Sequence, residues 1–94
     1  MDERFVVITT DHTRRGVFAG ILEEYEKDRA VLRDAQMCVY WSESTRSVLG
    51  LASHGPQRGS RVGPPVPRLE VDGVVAVIDA TKEARKKWEA QPWS

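Results

Sequence analysis

The sequence predicts a mainly β fold with a minor helical part: a small, curved, antiparallel β-barrel of five to six strands with one C-terminal helix. Three observations predict it. Gly16 and Gly20 stand four residues apart in an apolar strand-like segment, a spacing that commonly marks the bends of a curled sheet. Asp72-Gly73 between two apolar runs is a strong hairpin signal. Thr81 is a favourable N-cap for a helix over residues 82–90.

The first two strands carry the clearest pattern. Residues 5–10 are almost all β-branched or aromatic, which favours a strand. In the second strand, residues 16–22, the odd and even positions are both apolar, so the strand is either buried on both faces or strongly curved. Residues 23–28 form an acidic, solvated hairpin tip. Further apolar segments follow at 30–32, 37–41, 48–52 and 68–78. Short polar breaks separate them at 34–36 and 42–46.

Composition predicts one soluble domain over residues 1–94. The chain is 40% hydrophobic and 30% charged, which is ordinary for a globular protein. Its 14 basic and 14 acidic residues balance, so any anion site must be local. Apolar segments are too short to cross a bilayer, so we expect no membrane partner. The lone Cys38 lies in an apolar run as a buried thiol, which fits a cytoplasmic protein.

Residues 54–68 are the most informative stretch, because they hold four of the five prolines, three glycines and three arginines and no acidic residue. We expect a loop, since proline removes a backbone donor and glycine opens the left-handed region. Arg58, Gly59, Arg61 and Gly63 can form a nest that binds phosphate or carboxylate. The alternative is a solvated surface loop that the prolines merely stiffen.

Tyr40 and Trp41 can stack on a base or on a ligand ring. Neighbours on a strand point to opposite faces, so at least one of them is expected in the core. We expect no metal, cofactor or catalytic residue, because the spacing of Asp11, His12, Cys38 and His54 matches no zinc or nucleophile pattern.

Resemblances to two protein families add to these predictions. The glycine-spaced strand and the apolar strand that ends in Asp34-Ala35 resemble Sm-like barrels, which are similar to SH3-type barrels and commonly form rings that bind RNA. A second motif of that family is missing from residues 48–78, so RNA binding is not implied. Over nearly its full length the chain resembles a small uncharacterised family found mainly in bacteriophages and prophages. That resemblance rests on these segments: 15–20, 37–42, 48–52, 55–56, 61–64 and Trp88.

The sequence therefore predicts a non-enzymatic binding protein whose Arg/Gly/Pro-rich loop binds an anionic ligand, either a nucleotide or a nucleic acid. The alternative is a protein-interaction or virion accessory domain that uses the same loop with Trp88 and Trp93 as an interface to a host or phage protein. We also expect a homo-oligomer, because a small open barrel presents edge strands that a neighbour can complete.

Overall fold

Six antiparallel strands form one sheet, and the main helix follows the last strand. The structure is a computed structural model, and it describes residues 3–11 and 16–90. The elements are β1 Phe5–Thr10, β2 Val17–Glu26, β3 Arg29–Tyr40, a 3₁₀ helix Glu43–Thr45, α1 Val48–Ser53, β4 Arg61–Val62, β5 Val66–Val71, β6 Val74–Asp79 and α2 Lys82–Ala90. The strand order is β4-β3-β2-β1-β6, and β5 also pairs with β3. The predicted fold class is confirmed.

The sheet has a core cluster on each face, as the two-faced apolar pattern of β2 indicates. Val17, Ala19 and Ile21 belong to a core cluster that includes Leu51 of α1 and Trp88 of α2. The intervening β2 residues pack in a second cluster on the opposite face, together with residues of β1, β3, β5 and β6. Helices therefore cover one face, and the curled sheet covers the other with its own strands.

The bend of the β2–β3 hairpin comes from two bulges. The register between these strands shifts between Ala19 and Ile21 and again between Leu22 and Glu24. Asp34, opposite the first shift, has a φ of 53°. A Cβ on Gly20 would lie 3.0 Å from the carbonyl oxygen of Arg33, so a side chain there would push the two strands slightly apart. The break expected at 34–36 is thus a bulge within one continuous strand.

The Asp72-Gly73 turn does not close a hairpin, and the expected barrel stays open. Among the described residues, β5 pairs with β3 and β6 pairs with β1, and the two strands beside the turn do not pair with each other. The turn is bonded elsewhere: the N–H of Asp11 donates to Gly73 O, and the N–H of Val74 donates to Asp28 O, each at 2.9 Å. Because these bonds direct the turn towards β1 and the β2–β3 tip, the sheet curls without joining its edges.

The segment 54–68 is only partly a loop, which corrects the prediction. Arg61–Val62 pairs with the end of β3 as β4, and β5 already begins at Val66. Pro67 is tolerated because β5 lies at an edge of the sheet, where a missing N–H breaks no ladder bond. Irregular backbone remains at 54–60 and 63–65.

The helix α2 is placed as predicted. Its N-cap is Thr81, whose Oγ1 accepts a hydrogen bond from the N–H of Ala84 at 3.0 Å and donates one to Ser53 O at 2.7 Å. At the other end, the buried Gln36 donates from Nε2 to the carbonyl of Trp88 at 3.0 Å. Within the described parts of the chain, no helix is long and apolar enough to span a membrane.

Candidate anion-binding site

A shallow depression lies where β3 ends against β4. Tyr40 pairs with Arg61 across the two strands, and a register shift between Cys38 and Tyr40 leaves Val39 as an extra residue. The depression has a volume of about 380 Å³ and is lined by Val39, Tyr40, Gly59 and Arg61. Tyr40 is 56% exposed. An aromatic ring, an arginine and a glycine backbone therefore share one open surface.

Arg58 lies beside this depression, in the tight turn 57–60. The N–H of Ser60 donates to Gln57 O at 3.0 Å, and Gly59 has a φ of 96°. A positive φ at the third position is what a type II turn requires, which explains the glycine. Arg58 is exposed at the second position of the turn.

A cluster of polar side chains, which we call the Thr45 cluster, holds this turn against the 3₁₀ helix. It consists of Ser42, Thr45, Gln57 and Ser60. The buried Thr45 Oγ1 accepts from the N–H of Gln57 at 2.9 Å and shares a hydrogen bond with Ser60 Oγ at 3.2 Å. Ser60 Oγ in turn accepts from the N–H of Ser42 at 2.9 Å. The turn that presents Arg58 and Gly59 is thus fixed on two sides.

The backbone beside the Thr45 cluster is strained. Arg46 has a φ of 66° and Ser47 a φ of 94° with a ψ of 180°, a region that non-glycine residues rarely enter. His54 Nε2 donates to the carbonyl of Thr45 at 3.0 Å. Gly50 packs so closely under that carbonyl that any Cβ would overlap it. Close packing therefore fixes the chain reversal between β3 and α1.

Three predicted ligand residues do not line the depression: Arg58, which lies in the adjacent turn, Gly63 and Trp41. The N–H of Gly63 donates to the carbonyl of Met37 at 2.8 Å, so this amide is engaged in pairing and not open to an anion. Trp41 packs against the first core cluster and lines a separate groove. The neighbouring pair divides as strand geometry requires, with Tyr40 exposed and Trp41 directed to the core.

Trp88 cannot serve as an interface, which corrects that prediction. Its side chain is 0% exposed, and its Nε1 donates to the carbonyl of Leu51 at 3.0 Å. An intermolecular contact through Trp88 would require α2 to leave the core. Trp93, the other predicted interface residue, lies outside the described residues, as does His12.

An apolar groove that the sequence analysis missed lies on the helix-covered face. Its volume is about 560 Å³, and it is lined mainly by apolar side chains from β2, β3, β6 and α1, among them Val17, Val39, Trp41, Val48 and Leu49. Leu49 is 67% exposed and Val39 54%. Helical spacing could have shown this, because Val48, Leu51 and Ala52 share the inner face of α1 and leave Leu49 outside.

The thiol of Cys38 is buried. Burial raises the pKa of the Cys38 thiol to about 11, so the thiol is protonated near neutral pH. Among the residues that the structure describes, no group of three or more His, Cys, Asp or Glu side chains is placed to hold a metal ion. The depression itself presents a guanidinium group, a glycine backbone and an aromatic ring.

Comparison with known families shows a match to DUF6948, a domain of unknown function, over residues 3–88. The chain belongs to this family. The DUF6948 domain includes all six strands, the Thr45 cluster and the depression, and it ends at Trp88 within α2. No curated protein and no solved structure matches the chain. The small β-rich fold fits the resemblance drawn from the sequence, while the phage context and the likeness to Sm-like barrels remain predictions.

Proposed function

We propose that this protein is a non-enzymatic binding protein that holds an anionic ligand, a nucleotide or a nucleic acid, at the depression between β3 and β4. Arg61 and Arg58 bind phosphate oxygens, because a guanidinium can offer two parallel N–H donors to one phosphate. Gly59 lets the ligand approach the backbone, since it has no side chain. Tyr40 stacks on a base.

The observation that carries this proposal is the pairing of Tyr40 with Arg61 beside Gly59 in one depression. Gly59 and Arg61 are far from Tyr40 in the sequence, and the pairing of β4 with β3 brings them beside it. The Thr45 cluster fixes the turn before ligand arrives, so little ordering cost is incurred on binding.

A melting-temperature panel tests the proposal. The probes are inorganic phosphate, nucleotides, cyclic nucleotides and short RNA and DNA strands. A ligand that binds only the folded state raises the melting temperature by mass action. The double variant Arg58→Ala/Arg61→Ala should lose that rise, because each charge-assisted contact contributes about 1.5–3 kcal/mol.

The matched control is Lys82→Ala/Lys86→Ala, which removes two exposed cations from α2 and leaves the depression intact. This control should keep the rise in melting temperature. If no probe raises the melting temperature, or if both double variants lose the rise equally, the proposed site is wrong.

A second candidate function is a protein-interaction or virion accessory domain, and the apolar groove favours it. Exposed Leu49 and Val39 border a groove whose lining carries no charged side chain among the residues that the structure describes, which suits an apolar side chain of a partner. In this case the variant Leu49→Asp abolishes partner binding and Arg58→Ala/Arg61→Ala does not. The expected phage or prophage origin and cytoplasmic location belong to both candidates as proposals.

A further inference from the structure

Positive charge is concentrated in one part of this electrically neutral chain. The whole sequence balances 14 basic against 14 acidic residues, but residues 35–69 hold four arginines and a single acidic residue, Glu43. That segment forms the end of β3, the 3₁₀ helix, α1, the turn 57–60 and β4. The rest of the chain has more acidic than basic residues, so the electrostatic field of the protein is asymmetric.

Three of these arginines directly follow residues of the Thr45 cluster in the sequence. Arg46 directly follows Thr45, Arg58 directly follows Gln57, and Arg61 directly follows Ser60. Hydrogen bonds join Gln57 and Ser60 to Thr45 Oγ1. Each arginine is therefore the chain neighbour of a member of one hydrogen-bonded cluster.

Elsewhere in the described part of the chain, five arginines are paired with carboxylates. These ion pairs are Arg4 with Asp79, Arg29 and Arg68 with Glu70, Arg33 with Glu3 and Glu23, and Arg85 with Glu3 and Glu89. By contrast, Arg46 and Arg58 have no carboxylate partner among the described residues. Their charge is available to an anion from outside the protein.

The shape of the surface favours a strand over a small molecule. A pocket for a mononucleotide usually encloses most of the ligand, whereas this depression is shallow and has only four lining residues. Single-stranded nucleic acid needs no enclosure. It binds through several phosphate contacts along a basic surface and through bases that stack on exposed aromatic rings. An exposed Tyr40 beside Arg61 meets both needs.

We propose that the ligand is single-stranded nucleic acid, whose phosphates contact Arg46, Arg58 and Arg61 and one of whose bases stacks on Tyr40. This inference rests on the proposed function and specifies its ligand class. Duplexes bind less well, since a paired base cannot present its face to Tyr40. The chemistry of stacking is tolerant of base identity, so the protein binds with weak sequence preference.

Fluorescence anisotropy tests the inference with labelled oligothymidylate and oligouridylate of increasing length. We expect affinity to rise with length and ATP to compete at least about tenfold more weakly than the strand. Three phosphate contacts give a slope of about −2 for log affinity against log salt concentration, because each single-strand contact contributes about −0.7. Arg58→Ala/Arg61→Ala should reduce the slope to about −0.7.

Substitutions of Tyr40 test base stacking, which the salt dependence of binding does not report. Tyr40→Ala should weaken strand binding about tenfold or more and leave the salt slope unchanged, because stacking involves no counterion release. Tyr40→Phe keeps the ring and should bind as the wild type does. Circular dichroism checks that each variant keeps its fold, which is expected because Tyr40 is exposed.

The outcomes separate the inference from the proposed function. If ATP binds as tightly as a strand and depends on Arg58 and Arg61, the strand inference fails and the anion site stands. Duplex binding equal to single-strand binding, or a Tyr40→Ala variant with wild-type affinity, also overturns the inference. If neither ATP nor any strand binds, both proposals fail.

Discussion

The indole N–H of Trp88 donates a hydrogen bond to the carbonyl of Leu51 at 3.0 Å, and this bond joins α2 to α1 across the first core cluster. It satisfies a buried donor and one of the carbonyls near the end of α1 at the same time. Trp88 therefore joins α2 to α1 within the core cluster that both helices share with the sheet.

Replacing Trp88 should test this attachment. Trp88→Ala should lower the free energy of unfolding by about 3–5 kcal/mol, because it leaves a large cavity in the core. Trp88→Phe should lower it less, since the ring still fills part of the space while Leu51 O loses its donor. Urea unfolding measures both. An unchanged midpoint for Trp88→Ala would show that the side chain is not in the core.

Gly55 should be intolerant of a side chain, because the loop packs against α2 there. Its φ is 85°, and a Cβ would lie 2.5 Å from the Cβ of Lys87. Gly55→Ala should cost about 1–3 kcal/mol of stability. Gly63→Ala is the matched control, since a Cβ there would meet only Met37 O at 3.7 Å, and it should change stability by less than about 0.5 kcal/mol. Equal effects in thermal unfolding would contradict the packing.

Ser47 stores strain that glycine would relieve. Its φ of 94° with a ψ of 180° lies in a region that is almost specific to glycine. Ser47→Gly should therefore raise the free energy of unfolding by about 1 kcal/mol. Ser44→Gly, in the neighbouring 3₁₀ helix and without a positive φ, should be neutral or destabilising. A loss of stability in Ser47→Gly would argue against the strained backbone.

Cys38 should make stability fall in alkali. Burial raises the pKa of its thiol to about 11, above the value of about 8.5 in an unfolded chain. The stabilisation is therefore complete below about pH 8.5 and is lost as the pH rises through about 11. Cys38→Ala should remove this component from the dependence of unfolding free energy on pH. Identical alkaline slopes in both proteins would contradict a buried, protonated thiol.

Sequence patterns predicted the elements better than their connections. The two-faced apolar pattern of β2, the N-cap Thr81 and the helix 82–90 could all be predicted, because each depends on local spacing or capping. The pairing of β5 and β6, the strands beside the Asp72-Gly73 turn, could not be predicted. Hydrogen bonds from the N–H of Asp11 to Gly73 and from the N–H of Val74 to Asp28 determine the direction of the turn. Those partners are distant in sequence.

The candidate site shows the same division. Arg58, Gly59, Arg61 and Tyr40 could be singled out by residue type, but only the pairing of β4 with β3 shows which of them meet. Trp88 was misplaced because an aromatic near a chain end suits both a core and an interface, and tertiary packing alone decides between them.

The most direct test of the anion site is an NMR titration of the backbone amides, first with ATP and then with single-stranded oligothymidylate. The proposed site predicts that at least one of these probes produces its largest chemical-shift changes at Tyr40, Gly59 and Arg61, and that Arg58→Ala/Arg61→Ala abolishes them. Changes centred on Leu49 and Val17 would place binding in the apolar groove instead. That result, or no change with either probe, would contradict the account.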